Sequence, residues 1–386
     1  MIAADMPTCF AEQPLHAGQH WLYCAGFNVK QDLADTSRID EEVPDLARLV
    51  SHGCRVTVLS HQGSHGNYQQ LDYIVPYLQS KLACTVKYCD SLCWSEIYRQ
   101  VDLLRDGELL LLTNSRLFEG ELENKAELAE QFAGLGQRIV IGGFSKAHRS
   151  HASNVGVSRY RPSFLATGIA NQIALLKPWS KNMPSALSLA VVGGIKKEKV
   201  DPGLVGLARF YDFIIPTGAV LNAILAYQNI NIGGSVLPEF GQFDRSAIAQ
   251  TVTQFASKLI MPEQLIVTDG VSYKKVSITQ LNLTAQERIV DFVPTDEMRN
   301  VISDVVSQQG RILLAGTPAD ATLAHSEAIE FFEQQLTFAR PYSILLGGDS
   351  CADISFDGAK SSGGGAALVY LCDGTLPILE HHNKSF

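Results

Sequence analysis

The chain has 386 residues, which suits two domains of ordinary size. Hydrophobic residues make up 46% and charged residues 18%, so a packed globular protein is expected and disorder is excluded. The net charge of −9 argues against a dominant role on nucleic acid or an anionic membrane, while leaving room for a local basic cleft.

No apolar stretch reaches transmembrane length, and the first twenty residues lack a basic start followed by an apolar run. A cytoplasmic protein is expected, with its eight cysteines reduced. Cys84, Cys89 and Cys93 cluster, but their spacing matches no familiar zinc pattern, and they read as plain thiols.

In chain order the pattern is strand, then helix, repeated. HWLYCAGFNV is a short apolar run, and EEVPDLARLVSHG has helical spacing at Val43, Leu46, Leu49 and Val50, with Gly53 as its stop. CRVTVLSH reads as a strand and LDYIVPYLQSKL as a helix started or kinked near Pro76. TVKYC, ELLLLTN, the helix NKAELAEQFAGLG and RIVIGGF follow. After the linker-like KPWSKNMPS a second series begins: LSLAVVGG, VGLARF, DFIIPTG, VLNAILAYQ, QLIVTDG, RILLAGTP, HSEAIEFFEQQL, SILLGGD and AALVYL. Apolar runs with helices between them predict an α/β fold of two three-layer domains with parallel sheets. The expected domains are residues 1–180 and 181–370, joined by a hinge, with 371–386 as a terminal segment. Ligands in such folds sit at the carboxyl ends of strands.

Two chemistries collect at those ends. In the second half they carry glycine: Gly193 and Gly194, Gly218, Gly316, and Gly347 and Gly348, with Gly363, Gly364 and Gly365 in SSGGGAAL. Glycine lets backbone N–H groups approach a ligand, and at a helix start those groups favour phosphate. The plain alternative for the triple glycine is a flexible turn. Asp349, beside Ser350, is placed to hold Mg²⁺ or to cap a helix, and Lys196 to neutralise a phosphoryl group or simply to meet solvent. In the first half the ends carry Asn28, Arg38, His61, Arg116, His148, Arg149 and His151. Cations from separate strands converge well on an anionic substrate, though each alone reads as a surface residue. One half suited to nucleotide phosphates and one to an anionic acid suggest phosphoryl transfer.

The segments GFNVKQDLADTSRI, GCRVTVLSHQG, FSKAHRSHASNVGV, LAVVGGIK, ILLGGDS and SSGGGAALVYLCDGTLPILE, in that order, resemble phosphoglycerate kinase over most of the chain. The resemblance implies two Rossmann-like domains, a hinge, a C-terminal segment returning to the first domain, and ATP with Mg²⁺ as cofactors. It assigns the transferring phosphoryl group to Arg38, Lys196 and the turn Gly363–Gly365, the metal to Asp349, and a phosphate-side hydroxyl to Ser350. Asn28, His61, Arg116 and Arg149 then match part of the acid cradle.

The chain also departs from the family pattern. Cys24-Ala25-Gly26-Phe27-Asn28 stands for RVDFN, and Ser60-His61-Gln62-Gly63-Ser64-His65 for SHLGRP. Lys146 replaces the threonine of GTAHR, Pro216-Thr217-Gly218 a triple glycine, and Ala315 an asparagine. The losses fall on 3-phosphoglycerate recognition, each cradle arginine being worth roughly 1.5–3 kcal/mol. The expectation is therefore an enzyme that activates a different carboxylate as an acyl phosphate, with Cys24, Gly26 and Ser64 lining a less cationic pocket. That acyl phosphate could be released, reduced, or captured by an amine acceptor in a ligase reaction. The alternatives are a divergent glycolytic phosphoglycerate kinase and a non-catalytic nucleotide-binding paralogue. The expected partners are small molecules, with no nucleic acid and no membrane.

Overall fold

The structure is a computed structural model that describes residues 8–63, 66–182, 187–239, 244–320, 322–348 and 353–382. The chain divides into two compact units: residues up to Ala174 with those from Thr375 onward, and Leu175–Gly374.

The first unit holds six strands: β1 (His20–Cys24), β2 (Arg55–Leu59), β3 (Val86–Cys89), β4 (Leu109–Leu112), β5 (Arg138–Ile141) and β6 (Ser163–Leu165). They pair in parallel in the order β3-β4-β2-β1-β5-β6. Strand β4 is Leu109-Leu110-Leu111-Leu112, buried at every position, as a strand covered on both faces requires. The helix Val43–Ser51 turns Leu46, Leu49 and Val50 into the core. Gly53, at φ +72°, ends that segment before β2. Phe10 meets Trp21 edge-on, with ring centroids 5.5 Å apart. The helix Pro377–His382 packs on the short turn Gly156–Arg159 of this unit.

The second unit holds β7 (Ser188–Val192), β8 (Phe213–Pro216), β9 (Gln264–Thr268), β10 (Tyr273–Ser277), β11 (Arg288–Phe292), β12 (Arg311–Ala315), β13 (Ser343–Leu346) and β14 (Ala359–Ser361). Five of them form a parallel sheet in the order β14-β13-β12-β7-β8. The strand QLIVT departs from the parallel pattern: β9 pairs antiparallel with β10 and β11. For β10 the cause is local, because the short turn at 269–272 cannot make the crossover that a parallel neighbour needs.

Each parallel sheet has a point where chain order reverses. In the first unit it lies between β1 and β5, in the second between β7 and β12. A crevice opens at the carboxyl ends there. No helix among the described residues is long and apolar enough to cross a membrane.

Candidate functional site

The first candidate is a basic cluster built on the loops after β1, β2, β4 and β5. Arg38 Nη1 donates to the Asn28 carbonyl at 2.8 Å. Asn28 Oδ1 accepts from the Gly63 N–H at 3.1 Å. The Gly63 carbonyl accepts from Arg116 Nη1. Gly63 has φ +85°, and a Cβ on it would lie 1.9 Å from the Asn67 carbonyl oxygen. Only glycine lets this loop bring Asn28, Arg38 and Arg116 to one place. Asn114 steadies the arrangement: its Oδ1 accepts from the Arg116 N–H at 3.1 Å, and its Nδ2 donates to the carbonyls of Gln62 (2.7 Å) and Gln69 (2.8 Å).

His61 is buried, and burial holds its imidazole well below the usual range, with Arg116, Lys146, His151 and Arg149 adding to the effect. His151 is lowered to about 4 by burial, then by Arg116, Arg149, Lys146 and His148. Both rings are therefore neutral at pH 7 and face the same set of cations. Arg116 is itself disfavoured as a cation by burial and then by Arg149. Like charges gathered in this way repel until an anion enters. The cluster is suited to hold a small multiply charged anion.

Asn28, Arg38, His61, Arg116, His148 and Arg149 thus come together, with Arg149 exposed and His148 half-buried. Cys24 and Gly26 lie beneath them. The Cys24 side chain is buried, and burial raises its thiol to about 12, so it does not line an open pocket. Ser64 lies outside the described residues. A Cβ on Gly26 would lie 2.6 Å from the Gly143 Cα, so the ends of β1 and β5 touch as bare backbone. Charged side chains that the sequence did not mark as site residues fill the layer below: Glu42, Glu121 and Lys146, all buried.

The second candidate is a glycine cluster in the other unit. A Cβ on Gly316 would lie 2.0 Å from the Gly193 carbonyl oxygen, and one on Gly193 would lie 2.3 Å from Thr217 Oγ1. Gly218 opens the helix Gly218–Tyr227, and its Cβ position is 3.1 Å from the Thr317 carbonyl oxygen. Gly364 opens the helix Gly364–Asp373, with Gly363 as its cap and Gly365 in its first turn. The Gly364 Cβ position is 3.1 Å from the Gly347 Cα. Gly194 is 3.5 Å from the Gly316 Cα by the same measure. The glycine strand ends therefore meet each other, and two ten-residue helices begin among them. Helix starts with free N–H groups and little side-chain bulk form an anion seat. The Thr217 hydroxyl is buried there without a hydrogen-bond partner, a polar atom that a ligand oxygen would satisfy.

Lys196 is exposed just beyond Gly194. Lys199 is the lysine inserted among the glycines: it is buried, with its Nζ 3.8 Å from the Gly364 Cβ position and its Cε 3.7 Å from that of Gly194. The sequence hid this lysine inside KKEK, a run that reads as a solvated face. Its legible signal was the stretch after a glycine strand end, where the 3-10 turn Lys197–Lys199 rotates one of three lysines inward. Gly348 is exposed at the end of β13. Asp349 and Ser350 lie outside the described residues. Among the described residues no group of three or more His, Cys, Asp or Glu side chains comes together as a metal site.

The family model described as phosphoglycerate kinase matches residues 17–374. The phosphoglycerate kinase of Wolbachia sp. subsp. Drosophila simulans (strain wRi) is 26% identical over 373 residues, covering 90% of each chain. That of Chlorobium limicola (strain DSM 245 / NBRC 103803 / 6330) is 25% identical over 383 residues, covering 93% of this chain and 95% of its own. Among solved structures, phosphoglycerate kinase from Pyrococcus horikoshii OT3 superposes with a TM-score of 0.79 at 20% identity, over 98% of this chain and 100% of that one. Phosphoglycerate kinase from Coxiella burnetii gives 0.75 at 23%, over 98% and 99%.

Proposed function

We propose that this chain, which belongs to the phosphoglycerate kinase family, transfers a phosphoryl group between ATP and the carboxylate of 3-phosphoglycerate. The observation that carries the reading is the convergence of Arg116 and Arg149 on two neutral histidines, with Arg38 tied in through Asn28. Such a cradle fits an acid with more than one negative charge, and 3-phosphoglycerate has both a carboxylate and a phosphate.

The residues present fit a bound nucleotide. The glycine cluster, Thr217 and Lys199 would hold the phosphates of ATP, with Lys196 at the rim of that cluster. Mg²⁺ held by Asp349 would supply the charge neutralisation that phosphoryl transfer needs. What this chain contributes is positioning and charge: cations fixed before the reaction and backbone amides aimed at phosphate oxygens.

A second reading, activation of another acid with release, reduction or amine capture of the acyl phosphate, is favoured by one observation. Gly26 offers no side chain to read a hydroxyl, and the 2.6 Å approach to Gly143 leaves no room for one. The test is turnover of ATP with Mg²⁺ and 3-phosphoglycerate in a coupled assay, then with a panel of carboxylic acids and hydroxylamine as trap. Robust turnover of 3-phosphoglycerate supports the first reading. Hydroxamate from another acid with 3-phosphoglycerate inert supports the second. ATP binding without turnover of any acid would leave the non-catalytic alternative.

A further inference from the structure

Beneath the basic cluster lies a layer of buried ionisable side chains. Lys146 is 4% exposed, Glu42 4% and Glu121 1%, so none of the three can be an ordinary solvated charge. Each is tied to a different loop of the cluster. Glu42 Oε1 accepts from the Gly26 N–H at 2.7 Å, at the start of the loop that carries Asn28. Glu121 accepts from Ser115 Oγ at 3.2 Å, beside Arg116, and from the Ser153 N–H at 3.0 Å. Lys146 Nζ donates to Asn154 Oδ1 at 2.8 Å. The Asn154 amide donates back to the carbonyls of Lys146 (3.0 Å) and Arg149 (2.7 Å), closing the turn that carries His148 and Arg149.

We infer that Lys146 is a positioning residue for the anion cradle, setting through Asn154 the placement of Arg149 and through its charge the two carboxyls that hold the Gly26 and Ser153 backbone. The inference rests on the reading that this cluster takes the acid. Lys146 is buried and bonded to Asn154, and it acts through the groups above it.

The electrostatics agree. Burial lowers Lys146, while Cys24, Glu42 and Glu121 pull it back up. Burial raises both Glu42 and Glu121; the Gly26 N–H and then Lys146 draw Glu42 partly back down, and the Ser153 hydroxyl and N–H and then Lys146 do the same for Glu121. The groups facing this layer are Tyr23 and Cys24 on β1, Glu41 and Asp45 beside Glu42, and His61 and His151 above. The glycine contact explains why the cation enters from the loop after β5. With Gly26 against Gly143, the space below is reached by a long flexible chain from Lys146, whose Cε lies 3.0 Å from the Gly143 Cβ position.

The test uses the full chain as wild type, Lys146→Met and Lys146→Arg, with two readouts. The first is hydrogen exchange without ligand. Lys146→Met should speed exchange in three separated segments (24–30, 113–118 and 143–155) and leave the second unit unchanged, with Lys146→Arg restoring most of the protection. Exchange altered only in Lys146's own turn, or nowhere, overturns the inference whatever the substrate. The second readout is ligand affinity against pH. Lys146→Met should weaken 3-phosphoglycerate tenfold or more, leave Mg·ATP within twofold, and shift the pH dependence of acid binding near pH 8 upward. Equal weakening of both ligands would mean general damage and overturn it. If wild type does not bind 3-phosphoglycerate while the three-segment exchange pattern appears, the proposed substrate is wrong and the positioning role stands.

Discussion

At the β1/β5 reversal, Gly26 and Gly143 touch, and the space beneath is filled by Glu42, Lys146 and Glu121. At the β7/β12 reversal, Gly193 and Gly316 also touch, but the neighbours are more glycines, two helix starts and one buried lysine. The same sheet geometry thus produces two different surfaces. In the first unit side chains carry the charge, and hydrogen bonds below the surface aim them. In the second, bare backbone lines the strand ends, and Lys199 is the buried cation among the glycines. A backbone site tolerates little substitution, whereas a side-chain site can be retuned one residue at a time.

The contrast can be broken most severely at Gly316. Its φ is +101° and its Cβ would meet backbone 2.0 Å away, so Gly316→Ala combines left-handed strain with overpacking. The expected loss is about 3–5 kcal/mol of stability in urea unfolding, with Mg·ATP binding abolished. Gly63→Ala is the counterpart in the first unit, its Cβ meeting the Asn67 carbonyl oxygen at 1.9 Å. It should cost about 2–4 kcal/mol and at least tenfold in acid affinity, by calorimetric titration, with Mg·ATP affinity kept.

Lys199→Met removes the cation among the glycines. Loss of a charge-assisted contact worth roughly 1.5–3 kcal/mol should weaken Mg·ATP about 10- to 100-fold and leave the acid unaffected. The remaining contrast is read against pH, at Glu42. Burial raises its carboxyl from an ordinary 4.5 to about 8. The folded chain therefore keeps a proton that the unfolded chain releases, and this group's contribution to stability falls as pH rises from about 4.5 through about 8. Glu42→Gln should flatten that fall between about pH 5 and 8, read from denaturant midpoints across the pH range.

Much of this molecule was legible in its sequence, for identifiable reasons. Buried parallel strands are apolar at every position, so LLLL and SLAVV announce themselves. Asn28, Arg38, His61, Arg116 and Arg149 could be singled out because strand ends are where such folds bind ligands. The antiparallel strand pair at β9 and β10 was less visible, since Tyr273-Lys274-Lys275 is exposed and lacks an apolar face. Lys199 was hidden because three lysines in KKEK look alike until the turn decides which one is buried. Glu42 and Glu121 were hidden because an acidic residue at a helix start or in a polar loop usually meets solvent. Their burial depends on contacts from Gly26 and Ser153, far along the chain.

The central claim is that the basic cluster takes the acid and the glycine cluster takes the nucleotide. A crossed titration tests it most directly: Arg116→Met and Lys199→Met, each with 3-phosphoglycerate and with Mg·ATP. The account predicts that Arg116→Met weakens only the acid and Lys199→Met only the nucleotide, each by tenfold or more. Equal weakening of both ligands by either variant, or an unchanged acid affinity in Arg116→Met, would contradict it.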